Sequence, residues 1–187
     1  MNATAIQMIE KNSKEKFELG TNAFKVKNFT QAPLRMQGEF YIDVAPEILF
    51  DRVTDPQAIA QWFGLVKSGS VDHSQSCTAG QWGEGSKRFC HTPMGTLNET
   101  IYYWQRPNIS AYNVKSISVP AKDHCAVIKI EPLAGNKSKL IWLQYFNFRG
   151  VFMRFFFPKI MAKMMTQGVN RLANEYGGAG GKMVLVK

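Results

Sequence analysis

The chain has 187 residues, of which 45% are hydrophobic, 12% aromatic and 20% charged, with a formal net charge of +9. That length suits one domain with a sizeable core rather than two, and the composition excludes intrinsic disorder for most of the chain. Cys77, Cys90 and Cys125 are odd in number and widely spaced, with no CxxC pair, which argues against a disulfide framework or a cysteine zinc site and predicts reduced thiols.

The first thirty residues lack the apolar stretch of a secretory signal, and no run approaches the roughly 18 apolar residues of a membrane span. A cytoplasmic protein is expected. Residues 1–33 mix lysines with glutamates around a weak helical period at Ile6, Ile9 and Phe17 and read as an extension or loose arm. From Met36 to Asp43 the stretch MQGEFYID has strand composition. Pro46 and Glu47 then open a short helix through Leu49, Phe50 and Val53, and Asp55–Pro56 restart the chain into a second, ending near Trp62 and Phe63.

After Gly64 the texture changes. LVKSGSV, SKRFCHT, GTLNETIYYW, ISAYNVKSI, AVIKI and KLIWLQYFNF are six strand-like runs separated by turn residues, which predicts an antiparallel meander. From Val151 to Tyr176 the residues Phe152, Phe156, Ile160, Met161, Met164, Met165, Val169 and Leu172 recur near a 3.6-residue period, opposite Lys159, Lys163 and Arg171, and predict one long amphipathic helix that starts or bends at Pro158. The run GGAGG from Gly177 predicts its end and a flexible tail over 177–187. Arg149 to Lys187 carries seven bases against the single acid Glu175.

This order of elements resembles the START-like superfamily of polyketide cyclases and lipid-transport proteins (SRPBCC). The matching pieces are FYIDVAPEILFDRVTDPQAIAQWF, GEGSKRF, LNETIYYWQRPNISAYNV and KLIWLQYF, within Met36 to Tyr176. The resemblance implies an α+β helix-grip fold over residues 34–176. A curved seven-stranded antiparallel sheet, with two short helices after its first strand, wraps around the long C-terminal helix. It also implies a cavity between sheet and helix that takes lipids, isoprenoids, polyketides or other apolar molecules. The arm is a departure from simpler members and a candidate cover for the cavity mouth.

Strand alternation sorts the faces. Lys137 and Lys139 put Leu140, Trp142, Gln144 and Phe146 on the opposite, inner face; Lys115 leaves Tyr112 and Val114 inward; Lys129 and Glu131 leave Ala126, Ile128 and Ile130 inward. Glu99 shares a face with Leu97 and Ile101. Family patterns favour an inward Arg88, and the two charges would then meet across the hairpin as the polar anchor of the cavity; the alternative is an exposed cross-strand pair. The expected ligand-contacting set is Arg88, Glu99, Ile101, Tyr112, Ile128, Trp142, Gln144, Met161, Met164 and Met165, with the methionines also readable as ordinary core.

Other chemistries find little support. His91 adjoins Cys90 and His124 adjoins Cys125, but neighbouring strand residues point to opposite faces and do not chelate together, so no metal is expected. There is no GxSxG signature, and GQWGEG lacks the spacing of a phosphate-binding loop, so no nucleotide cofactor is implied. The bases of the last helix are spaced as a solvated face without a nucleic-acid-binding motif, and nucleic acid is not expected as a partner. Binding of a small hydrophobic molecule leads. A cyclase- or dehydratase-type reaction using Glu99, Arg88, His91 or Tyr112, and contact of the basic helix with an anionic membrane surface, are the alternatives.

Overall fold

The computed structural model describes residues 24–116, 119–150 and 153–186. The expected helical period at Ile6, Ile9 and Phe17, the end of the ISAYNVKSI strand at Ile117, and Phe152 on the last helix lie outside the described residues.

A short 3-10 turn at Val26–Asn28 precedes β1 (Leu34–Ile42). Helix α1 (Pro46–Thr54) begins with Pro46, whose missing N–H is one of the donors that a first turn leaves unbonded anyway. Asp55 Oδ1 accepts the Gln57 N–H at 2.8 Å and turns the chain into α2 (Ile59–Trp62). The meander follows as β2 (Ser68–Asp72), β3 (Lys87–Thr92), β4 (Gly95–Gln105), β5 (Ile109–Lys115), β6 (Ala121–Leu133) and β7 (Lys137–Phe148). Helix α3 (Met153–Tyr176) and β8 (Gly180–Leu185) complete the chain.

All eight strands form one antiparallel sheet in the order β2-β3-β4-β5-β6-β7-β1-β8. Helix α3 packs on β1, β8 and α2, while α1 packs on β6 and β7. This is the helix-grip arrangement. The inner core joins Phe40, Phe50, Trp62, Leu140, Phe146, Met165 and Leu172, all nearly inaccessible to solvent.

Three expectations are corrected. The sheet has eight strands, because the segment read as a flexible tail supplies β8, paired with β1 from Met36↔Leu185 to Tyr41↔Gly180. Its glycines are needed there: a Cβ on Gly181 would lie 1.9 Å from the Glu39 carbonyl oxygen, so only glycine permits the approach. Of the two readings of Pro158, a start is excluded: the long helix runs through it from Met153, placing the proline within its first two turns. Of the expected apolar face, Met165, Val169 and Leu172 are buried, but Phe156 and Ile160 face outward, 65% and 56% exposed, and Pro158 and Ala162 continue the buried stripe in their place.

The described part of the arm does not lie at the cavity. Phe24, Val26 and Phe29 cover the outer face of the sheet over Ile109, Ala111, Cys125 and Val127. Phe29 stacks on Tyr102 at 5.7 Å and Phe24 meets Tyr103 at 5.0 Å. Thr30 anchors the segment by donating its hydroxyl to the Asp123 carbonyl at 2.6 Å.

Candidate ligand cavity

Between α3 and the inner faces of β1, β4, β5, β6 and β7 lies a cavity of about 60 Å³. Its apolar wall comes from Met36, Phe63, Leu97, Val114, Trp142 and Phe146, and its roof from Phe157, Met161 and Met165 of α3. Each position follows from period: Trp142, Gln144 and Phe146 alternate along β7, and Phe157, Met161 and Met165 are spaced by four along one helix face.

Of the ten residues the sequence nominates, Glu99, Tyr112, Trp142, Gln144, Met161 and Met165 line this cavity. Arg88 is buried directly behind Glu99. Ile101 and Ile128 are buried in the core but do not line the cavity. Met164 is half-buried and does not line it, because the face of α3 over the cavity carries Phe157, Met161 and Met165. His124 is a lining residue that the sequence reading overlooked. Continuing the inward alternation Ile130, Ile128, Ala126 by one more step reaches it.

Arg88 and Glu99 face each other as cross-strand partners of β3 and β4. Arg88 Nε donates to Glu99 Oε2 at 2.6 Å and Nη2 lies 2.5 Å from the same oxygen, while Nη1 donates to the Thr54 carbonyl at 3.1 Å. The guanidinium also sits 5.5 Å from the Tyr112 ring centroid. Burial opposes the Arg88 charge, but the Glu99 carboxylate outweighs it and holds the guanidinium above its ordinary value. Burial raises the Glu99 carboxyl, and the charge and hydrogen bond of Arg88 take back part of that rise. Burial, with the Glu99 charge adding to it, also pushes the Tyr112 phenol up. The pair is closed on itself, so neither member reaches into the cavity with a free charge. His91, the other acid–base candidate, is exposed and bonded to Thr96 Oγ1 at 3.1 Å.

The unspent polarity lies opposite. The Val114 N–H donates to His124 Nδ1 at 3.0 Å, which fixes that nitrogen as the acceptor of a neutral ring. His124 Nε2 therefore carries the proton and donates it to Gln144 Oε1 at 2.7 Å. The Gln144 amide is thereby oriented at the wall of the cavity that the residue lines. Trp142, only 4% exposed, has a buried indole N–H with no partner among the described residues; it sits beside the Tyr112 phenol without a hydrogen bond of sound geometry. Trp142 and Gln144 thus both border the same largely apolar space. Burial pushes His124 down to about 4, against the opposing pull of its hydrogen bond to Gln144.

No group of three or more His, Cys, Asp or Glu side chains arranged to hold a metal occurs among the described residues. Cys90 and Cys125 are buried, and burial pushes both thiols up to about 12. Neither is activated as a nucleophile.

Residues 33–177 match the family described as polyketide cyclase / dehydrase and lipid transport. The chain belongs to this family. Among solved structures it is similar to XoxI from Bacillus cereus, with 14% identity over 77% of this chain and 96% of that one and a TM-score of 0.63. A START superfamily protein from Mycobacterium smegmatis gives 11% identity, 75% and 99% coverage and a TM-score of 0.58. An HSP90 activator from Plasmodium falciparum gives 12% identity, 79% and 99% coverage and 0.57. At such identities these likenesses concern the fold alone. No curated protein matches the chain. Strand β8 continues past the family match, and among the described residues no helix is long and apolar enough to cross a membrane.

Two predictions follow from this geometry. Arg88→Met leaves the Glu99 carboxylate buried without its partner and should cost about 3–5 kcal/mol in urea unfolding. Arg88→Met combined with Glu99→Leu should recover most of that loss; equal losses in the single and double variants would mean the pair is solvated. His124 bears on pH. The unfolded imidazole takes up a proton below its ordinary 6.5 and the folded one only near 4. Its contribution is therefore complete above pH 6.5 and is lost as pH falls from there through about 4, by up to roughly 3 kcal/mol. The stability difference between about pH 7 and about pH 4.5 should shrink in His124→Gln; an unchanged difference would show that the ring titrates normally.

Proposed function

We propose that the protein binds and carries a small apolar molecule, a lipid, isoprenoid, polyketide or aromatic compound, in the cavity beneath α3, without catalysing its conversion. The observation that carries this reading is an apolar space bordered by Trp142, whose buried indole N–H has no partner among the described residues, and by the Gln144 amide. Such a combination holds an apolar body and fixes the direction of one acceptor oxygen on it. The family of lipid-transport and cyclase proteins supplies the same expectation. Catalysis of the cyclase or dehydratase type is less well supported. Its natural acid or base, Glu99, is held by Arg88 at hydrogen-bond distance and would have to give up that partner to move a proton.

A cavity of about 60 Å³ is smaller than the roughly 300 Å³ at which ordinary ligand pockets begin. Loading must therefore displace Met161, Met165 and Phe157, and unbranched methionines give way at little cost. Native mass spectrometry of freshly purified protein, with solvent extraction of whatever dissociates, tests the reading. A stoichiometric apolar species is expected, and Met161→Trp, which fills the space, should reduce its occupancy at least fivefold. Empty protein that also takes up no added apolar probe would overturn it.

A specific observation favours membrane contact as the site of loading. Met153, Phe155, Phe156 and Ile160 are exposed on the first turns of α3, interleaved with Arg154, Lys159 and Lys163, and the same turns carry Phe157 into the cavity roof. Such a face suits the headgroup boundary of an anionic bilayer. Cosedimentation with phosphatidylglycerol vesicles should occur at low salt and fall severalfold in Phe155→Ser/Phe156→Ser. Indifference to both changes would remove this reading.

A further inference from the structure

The ladder between β5 and β6 runs only from Ile109↔Lys129 to Tyr112↔Ala126. Beyond it Asn113, Val114 and Lys115 pair with β4, and Ala121, Lys122 and Cys125 pair with β7, so the two strands part company inside a continuous sheet. Asp123, at φ 55, lies in the register shift between Lys122 and Cys125 that lets β6 bend away. His124 stands in the gap. Its Nδ1 takes the Val114 N–H that the β6 backbone no longer reaches.

Outside the gap lies a groove of about 1140 Å³. Val114, Ala121 and His124 line both this groove and the inner cavity, so one layer of side chains separates the two spaces. Their chemistry differs. Four cations, Lys27, Lys115, Lys122 and Arg149, line the groove against one acid, Asp123, whose carboxylate already accepts from Asn147 Nδ2 at 3.0 Å. None of the four cations belongs to an ion pair among the described residues. Inside, among the described residues, the one charged lining group is Glu99, paired with Arg88 buried behind it.

We infer that the split between β5 and β6 is a passage through the sheet, and that the ligand is an anionic amphiphile with its apolar part in the cavity and its charged head on Lys115, Lys122 and Arg149. The inference rests on the proposed binding function and deepens it. His124 is the stopper of the passage. A chain threading past it must break its bond to Val114 or to Gln144, and the second release frees Gln144 as well. The large polar volume sits outside and the small apolar one inside, which is the division an amphiphile requires.

Calorimetric titration of the full chain with dodecyl phosphate and with 1-dodecanol, both below their aggregation limits, tests the ligand class. Dodecyl phosphate should bind at least tenfold more tightly at low salt. The advantage should vanish in Lys115→Ala/Lys122→Ala/Arg149→Ala, three exposed positions whose loss leaves the core intact, while dodecanol binding stays unchanged. Equal affinities for the two probes, or an advantage that survives the triple variant, would overturn the inference and leave the cavity function standing; no binding of either probe would overturn both. Stopped-flow mixing tests the passage. His124→Ala, or His124→Asn should the alanine variant fold poorly, should speed association of dodecyl phosphate severalfold, whereas an unchanged rate would place the entrance elsewhere and refute the passage.

Discussion

The central strands of this protein are apolar on both faces, and that constraint shapes everything around them. Cys125, Ala126, Val127 and Ile128 are all buried, two toward each side of β6. A sheet that is apolar on one face needs one cover; this sheet needs two. Helix α3 supplies the inner one, and the arm with Phe24, Val26 and Phe29 supplies the outer. Because α3 lies mainly on β1 and β8 while α1 takes part of β6 and β7, the leading turns of α3 are left to roof a space between β4, β5 and β7 rather than to fill it. The cavity is thus a by-product of covering a wide sheet with a narrow cylinder.

That geometry also decides which polar groups remain available. Arg88 and Glu99 lie on neighbouring strands at the same register, so they neutralise one another, and Thr54 completes the guanidinium's bonding. Trp142 lies on β7, where the inner face is lined by apolar side chains, and its indole N–H finds no equivalent partner among the described residues. The difference between a spent and an unspent polar group here is a matter of what stands across the ladder.

Much of this was legible in the sequence. Period-2 alternation put Leu140, Trp142, Gln144 and Phe146 on one face and Tyr112 beside them, and the strand and helix order carried the family. Four things escaped it, each for a physical reason. The glycine run after Tyr176 reads as a chain breaker, yet Gly181 is required by the close approach of β8 to the Glu39 carbonyl. Helix α3 offers two apolar ridges, and period alone does not say whether Phe156–Ile160 or Phe157–Met161–Met165 turns inward; the position of the sheet decides. Finally, His124 lies within the register shift between Lys122 and Cys125, beside the left-handed Asp123 and one step before the strand-like run AVIKI begins. Outer burial of Ile109, Ala111 and Val127 under the arm was likewise beyond alternation, which assigns one face of an antiparallel strand to water.

The small volume under α3 has a consequence for how affinity is set. If the loaded shape is one the empty protein visits only a small fraction of the time, the apparent dissociation constant is the intrinsic one divided by that fraction. Residues that never touch the ligand then govern binding as strongly as those that do. Gly168, against which Phe63 packs so closely that an added Cβ would lie 2.7 Å from its ring, sits where such leverage is greatest: it fixes how tightly α3 can seat, and so how often the roof lifts. In a protein of this shape, selection acting on the seat of one helix tunes exchange of cargo without redesigning the surface that recognises it.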